Sequence, residues 1–234
     1  MVEQGELWDL QALARARRLT DWMFEQFAGA VRGRAVEVGA GIGTFSERLL
    51  DAGVESLLLV EPEGACVEVL EQRFGKDPRV RVAREELPDA SSLLDVPESF
   101  DFILCQNVLE HVREDRRALD VMASSLDHGG RLCVLVPAGP RLFGALDRQY
   151  GHKRRYTRES LHAAVESAGL RITDLYSFNA LGIPGWWLKN RIGATSLGTR
   201  SLVAYEAILP IWRPVEDHLR LPLGLSLIAH AERP

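Results

Sequence analysis

The chain has 234 residues, of which 46% are hydrophobic and 26% charged, and its formal net charge is −5. That is enough apolar sequence for a core without disulfide or metal staples, and the acidic balance argues against a broad nucleic-acid face. Cys66, Cys105 and Cys133 fall inside helical or strand-like runs, "MVEQGELWDLQ" has no basic-then-apolar leader, and no run reaches ~18 apolar residues, so a cytoplasmic protein with buried free thiols is expected.

Residues 8–30 read as helix, with Leu13, Leu19, Met23 and Phe27 at helical spacing. Ala35–Gly39 is a short strand, and Thr44–Ala52 a helix ended by Gly53. "SLLLVE", Ser56–Glu61, is a buried-type strand, followed by a helix over about 64–74 and a third strand at Val80–Ala83. Phe100–Gln106 is a fourth strand, and the spacing predicts a helix through "VLEHVREDRRALDVMASSL". "HGG" turns the chain into a fifth strand at Arg131–Val136; Thr157 N-caps a helix to Ala168; Leu170–Asn179 and Leu225–Ala231 are the last strands. Strands alternating with helices predict βαβ units and a doubly wound parallel sheet. Residues 180–222 are too long for an ordinary connection and contain two apolar helical segments. The organisation predicted is one domain over 1–234: N-terminal helices at 1–32, core sheet and helices at 33–179 and 223–234, and a helical cap inserted at 180–222.

"VEVGAGIGTFSERLL" places Gly39, Gly41 and Gly43 at the carboxyl end of the first strand, where sheets of this kind hold ligands. Absent Cβ atoms admit a ligand to the backbone. The amides of the next helix favour an anionic group there. A dinucleotide fingerprint G-x-G-x-x-G/A does not fit, since its third position would be Thr44 or Ser46, and no phosphate-loop Gly-Lys-Ser/Thr follows. Glu37 inside the turn would repel a pyrophosphate and suit an ammonium or sulfonium. Glu61, 22 positions after Gly39, can accept both hydroxyls of an adenosine ribose.

The segments "VEVGAGIGTFSERLL", "LLLVEPE" and "FDFILCQNVLEHVREDRRAL" with "LDHGGRLCVLVP" resemble the class I S-adenosylmethionine-dependent methyltransferases, over about residues 17–137. "YGHKRRYTRESLHAAVESAGL" and "RLPLGLSLIAHAERP" are similar to a bacterial small-molecule subgroup of that family. The resemblance implies a Rossmann-like α/β fold, with a seven-stranded sheet mostly parallel but for one antiparallel strand, and helical N-terminal cover. It implies S-adenosyl-L-methionine as cofactor. Glu37, Gly39, Ala40, Gly41 and Gly43 would face its methionine part, Glu61 with Pro62 its ribose, and Glu86 beside Leu87 its adenine amine, with Glu85 a rival because "REELP" departs from the commoner form. Gln106 and Asn107 would line the methionine end, Asn107 also serving as N-cap, and Trp22 would stack near the cofactor.

Methyl transfer from a sulfonium is an in-line displacement that needs alignment and exclusion of water. A base is needed only for acceptors that must lose a proton. None of His111, His128, His152, His162, His218 and His230 pairs with Cys, Asp or Glu at ligand spacing along the chain, so no metal is expected. Tyr150, His152, Arg155 and Tyr156 in "YGHKRRY" follow the fifth strand and cluster donors and aromatics near the acceptor space. His152 with Tyr150 is the catalytic candidate; His111, Arg155 and Tyr156 are substrate-binding candidates, and Arg154 or Arg155 could clamp an acidic acceptor. A solvated basic loop is the bland reading of this stretch. Trp8 reads as packing, and Trp186, Trp187 and Trp212 as a small core under the insertion; a membrane-surface contact helped by Lys189 and Arg191 is a minor alternative.

The leading expectation is an enzyme that methylates a small-molecule acceptor, with no nucleic-acid partner and with monomer and homodimer both open. Two rivals remain. One is a nicotinamide-dependent oxidoreductase, disfavoured by Glu37 and the missing third fingerprint glycine; the other is a non-catalytic S-adenosylmethionine-binding module.

Overall fold

The computed structural model describes residues 4–94, 99–193 and 198–234. Seven strands, Arg34–Val38 (β1), Ser56–Val60 (β2), Val80–Ala83 (β3), Phe100–Gln106 (β4), Leu126–Pro137 (β5), Arg171–Phe178 (β6) and Ser226–Glu232 (β7), form one sheet. Their order is β3-β2-β1-β4-β5-β7-β6. β1 to β5 pair in parallel, and β7 runs antiparallel between β5 and β6. This is the mixed seven-stranded sheet that the resemblance implied.

The strands carry near-continuous apolar runs because both faces are covered. Successive side chains alternate between the faces. Val36, Val38, Leu58, Ile103 and Val134 point into one core, and Ala35, Leu57, Leu59, Phe102 and Leu135 into the other. The helices are Gln4–Arg15 (α1), Arg17–Ala28 (α2), Ser46–Asp51 (α3), Gly64–Phe74 (α4), Ser91–Leu94 (α5), Asp115–Ser125 (α6), Ala145–Gln149 (α7), Arg158–Ser167 (α8), Gly182–Arg191 (α9) and Thr199–Leu219 (α10).

Three local expectations are corrected. The single helix over 8–30 is two helices, broken at Ala16, whose ψ of 69° is not helical. Ala16 offers no side-chain cap; instead the Glu206 carboxylate on α10 accepts from the Arg18 and Leu19 amides at 3.2 and 2.8 Å, satisfying donors that the first turn of a helix leaves orphaned. Helix does not follow β4 directly: α6 starts at Asp115, so Asn107 is not its N-cap. Asn107 instead takes a left-handed conformation (φ +53°), which asparagine tolerates better than most residues. His128–Gly130, read as a turn, lie within β5. Thr157 does cap α8, accepting from the Ser160 amide.

The stretch 180–222 contains α9 and α10. Glu216 on α10 accepts from the Ala180 amide, and Asp217 accepts from the Trp22 indole N–H at 2.8 Å. Leu209 is 1% exposed against the core on the α2 side, whereas Ile211 is 78% exposed. Leu209→Ala is therefore expected to cost about 2–5 kcal/mol in urea unfolding, and Ile211→Ala less than about 0.5 kcal/mol; equal costs would mean that α10 does not pack on the body through this face.

Candidate functional site

Strand order reverses at β1, which is flanked by β2 on one side and β4 on the other. Such a switch point opens a crevice beyond the carboxyl ends of the strands. In register, Val38 lies beside Val60 and Cys105, so Gly39, Glu61 and Gln106 leave the sheet at one level. Gly39 has φ +73°, and a Cβ there would lie 2.3 Å from Val108 Cγ2, so the turn demands glycine. Gly41 has φ +55°, and its missing Cβ would be 3.6 Å from Leu10 on α1, which lies over the turn.

Three acceptors with incomplete partners meet this turn. Glu37 is 4% exposed and holds one hydrogen bond from the Ser46 hydroxyl at 2.5 Å; burial pushes its pKa up to about 8, helped by the nearby Glu61 charge. Glu61 accepts from the Gly41 and Glu63 amides at 2.8 and 3.0 Å, yet burial outweighs these bonds and raises its pKa. Gln106 Oε1 is buried with no hydrogen-bond partner. A buried orphan acceptor costs about 1–3 kcal/mol, so a ligand that donates here would be favoured. The ammonium, sulfonium and ribose hydroxyls of S-adenosylmethionine fit this donor-hungry set, and a pyrophosphate does not. Of the two acids read for the adenine amine, Glu85 is used to cap α5 through Ser91 and Ser92. Glu86 is exposed beside buried Leu87, on a hollow of about 550 Å³ that also includes His111, Arg117 and Lys153.

The loop after β5 is fastened to the turn after β4. The Lys153 amide donates to Glu110 O at 2.8 Å and its ammonium to His111 O; Arg154 donates to Arg113 O and Tyr156 to Leu109 O. This brings His152 against His111, ring centroids 4.8 Å apart and edge to face. Asp147 on α7, 0% exposed, receives His152 Nδ1 at 3.0 Å, Arg155 Nε at 2.7 Å and the Gly144 amide at 2.9 Å. Burial pushes the Asp147 pKa up, but the His152 bond and the Arg155 charge more than reverse it, so the carboxylate is ionised. Burial, with the neighbouring His152 ring and Lys153 ammonium, pushes His111 down to about 4 and keeps it neutral. Glu110 is fully buried with both oxygens unpartnered; burial raises it to about 8 despite its own nearby amide and the Arg155 charge. Tyr150 and Trp186 lie 6.4 Å apart at the rim, with Arg155 stacked 4.7 Å over the Trp186 ring.

Several predicted residues have framework roles. The Arg155 side chain is 1% exposed and also donates to Ala138 O; the Tyr156 hydroxyl is spent on Leu109 O and Asp115; Arg154 pairs with Asp115. These replace the expectation that they bind acceptor, because their polar atoms are already used inside the protein. Trp22 is fully buried, tilted on Phe178 at 4.3 Å and bonded to Asp217, so it is core. The Trp8 side chain lies outside those described. Trp187 is half exposed under Arg191, and Trp212 donates to Glu216. Asp147 and Glu110 escaped sequence reading. Their only signals were an acid five residues before His152 and the Glu-His pair in "LEHV", and burial cannot be read from either.

A second hollow, about 490 Å³, lies toward the amino end of the sheet beside Gln26, Cys133, Tyr176 and His230. Burial pushes Cys133 up to about 12, which makes it a poor nucleophile although its sulfur lies 3.1 Å from His230 Nδ1. Parallel sheets bind ligands at the opposite end, so the switch point is the stronger site. Among the described residues no helix is long and apolar enough to cross a membrane.

Comparison with known proteins gives the following. A family profile described as a methyltransferase domain matches residues 11–175. Ubiquinone biosynthesis O-methyltransferase from Aeromonas salmonicida is 24% identical over 189 residues, 74% of this chain and 76% of that protein. Among solved structures, the N-methyltransferase NodS from Bradyrhizobium japonicum in complex with S-adenosylhomocysteine aligns with a TM-score of 0.58 at 18% identity, over 94% of this chain and 87% of NodS. The [4+2]-cyclase SpnF aligns at 0.60 and 19% identity, over 93% of this chain and 81% of SpnF. These structures share the fold.

The electrostatics of Glu37 carry a sign that can be measured. Its folded pKa is raised from 4.5 to about 8, so between those values the folded state keeps a proton that the unfolded chain loses. Stability from this group is therefore present below about pH 4.5 and is lost as pH rises toward 8. Thermal melts from pH 5 to 8.5 should show the parent losing stability with pH more steeply than Glu37→Gln; parallel profiles would contradict the shift.

Proposed function

Because the chain belongs to the methyltransferase-domain family, whose profile spans residues 11–175, we propose that it transfers a methyl group from S-adenosylmethionine to the hydroxyl of a small-molecule acceptor. The observation that carries this reading is the trio of under-satisfied acceptors at the switch point: Glu37, Glu61 and the orphan Gln106 Oε1. Glu61 would take the ribose, Glu86 the adenine amine, and Glu37, Gln106 and the Gly39–Gly43 turn the methionine end. Bound there, the cofactor supplies an activated methyl carbon on positive sulfur.

The chain's own residues then align the acceptor and keep water out. The loop around Tyr150 and His152, with Trp186 at its rim, would form the acceptor wall. His152 is assigned to help the hydroxyl lose its proton: Nδ1 is committed to ionised Asp147, which fixes the tautomer and leaves Nε2 for that task. The hydroxyl class draws on the O-methyltransferase relative, and it suits a site that offers proton-handling groups. A nicotinamide oxidoreductase is the poorer reading, since a pyrophosphate would have to sit against Glu37 and Glu61.

Glu61→Ala removes two ribose contacts of roughly 1.5–3 kcal/mol each and is expected to weaken S-adenosylhomocysteine binding at least tenfold by calorimetry. Gly41→Val adds volume and a β-branch at φ +55° and should do the same. Parent-like binding by both variants would displace the cofactor from this turn. His152→Ala is expected to leave that affinity nearly unchanged while lowering methyl transfer to a hydroxylated acceptor by ~10²–10⁴-fold; unchanged turnover would remove His152 from the mechanism.

A further inference from the structure

Glu110 stands out among the described residues. It is 0% exposed, and neither carboxylate oxygen has a hydrogen-bond partner. Buried charges persist when they are paired or bound to metal. Glu110 faces two imidazoles: His152 Nε2 lies 3.9 Å from its Oε1, and the His111 ring meets the His152 ring edge-on. One donor atom from each of Glu110, His111 and His152 lies within 4.8 Å of the others.

The surroundings are those of a ligand set. Metal-bound histidine usually donates its second ring N–H to a carboxylate, which orients the ring and makes the ligating nitrogen more basic. Asp147 stands at 3.0 Å from His152 Nδ1 in that place and is itself fixed by Arg155 and Gly144. The histidine loop is tied to the Glu110 and His111 carbonyls through the Lys153 amide and ammonium, so the three donors are preset before any ion arrives. The expectation that no metal binds rested on spacing along the chain, and His152 reaches the pair from the other side of β5.

We propose that Glu110, His111 and His152 form a site for a first-row divalent transition metal of the zinc class. Two imidazoles and one carboxylate are a known catalytic zinc set that leaves a position open, and the same donors suit other first-row ions. Magnesium and calcium prefer oxygen-only shells. The open position takes the acceptor's oxygen. Bound there, the O–H is acidified and gives its proton to solvent; the oxygen attacks the methyl carbon, and the C–S bond breaks to release S-adenosylhomocysteine. This last step rests on the methyltransferase reading and replaces the base role of His152, whose Nε2 is then a ligand and cannot also take the proton; the metal site itself does not depend on that reading.

The test uses the full chain stripped with EDTA and titrated with ZnCl₂ by calorimetry, with Co²⁺ visible absorption as a direct report on the ligand field. Parent protein is expected to bind one equivalent. His152→Ala, His111→Ala and Glu110→Gln should each weaken binding at least tenfold and abolish the Co²⁺ bands. Asp147→Asn, which removes no ligand, should weaken Zn²⁺ by ~10–100-fold. If Glu110→Gln fails to fold by circular dichroism, the histidine variants and Asp147→Asn decide the matter. No saturable binding, or equal binding by every folded variant, overturns the proposal. S-adenosylhomocysteine titrated into the same stripped protein separates the two readings: retained binding without a zinc site overturns the metal alone, and lost binding in a folded protein counts against the cofactor reading.

Discussion

The placement of β4 directly beside β1, with β2 on the other flank, is the constraint from which the chemistry of this protein follows. A right-handed crossover must leave β1 toward one side of the sheet and return to β4 on the other, and the chain cannot fill the gap it leaves behind. The gap is lined by whatever ends those strands. Here that is a glycine turn, two carboxylates and an amide oxygen, with Leu10 of α1 over the turn. Burial in this crevice leaves Glu37 and Glu61 short of donors and raises both pKa values. The fold thus holds polar groups in a state that a cationic, hydroxyl-rich ligand relieves.

The loop after β5 obeys a similar economy of donors. Asp147 is the buried charge that organises it, and Arg155 is its counterion rather than a substrate clamp. A buried pair of this kind is weak grounds for stability, but it fixes geometry: Arg155 anchors the loop to Ala138, and His152 is held in one tautomer. Tyr156 and Arg154 lock the same loop to Leu109, Asp115 and Arg113. α9 reaches this loop through Asn190, which donates to Leu142 O and accepts from the Leu146 amide. The late insertion is in this way connected to the residues that would face the acceptor.

The sheet was legible because it is written in short-range pattern. Apolar runs such as "SLLLV" and "FDFILCQ" bounded by polar turns fix every strand but β5 to within a residue, and the glycines mark the end of β1; β5 starts at Leu126, ahead of the expected Arg131. The failures lie where tertiary contacts override local preference. Ala16 breaks a good helical pattern because Glu206, 190 residues away in sequence (206 − 16), caps the helix that follows it. The stretch 108–114 looks helical but is pulled into a turn that Lys153 and Arg154 fasten from outside. Glu37, the glycine turn, Glu61 and Gln106 could be grouped from sequence because they lie at the carboxyl ends of β1, β2 and β4, which are neighbours in the sheet. The loop after β5 was half readable: "YGHKRRY" marked a cluster of donors and aromatics, but which of its polar groups face inward depends on the buried Asp147, and composition carries no sign of that.

The central claim is that the crevice holds S-adenosylmethionine and its product rather than a dinucleotide. Calorimetric titration of the parent protein with S-adenosylhomocysteine and, separately, with NADH tests it most directly. Saturable one-to-one binding of S-adenosylhomocysteine with no heat from NADH is the expected result; binding of NADH, with S-adenosylhomocysteine ignored, would contradict it.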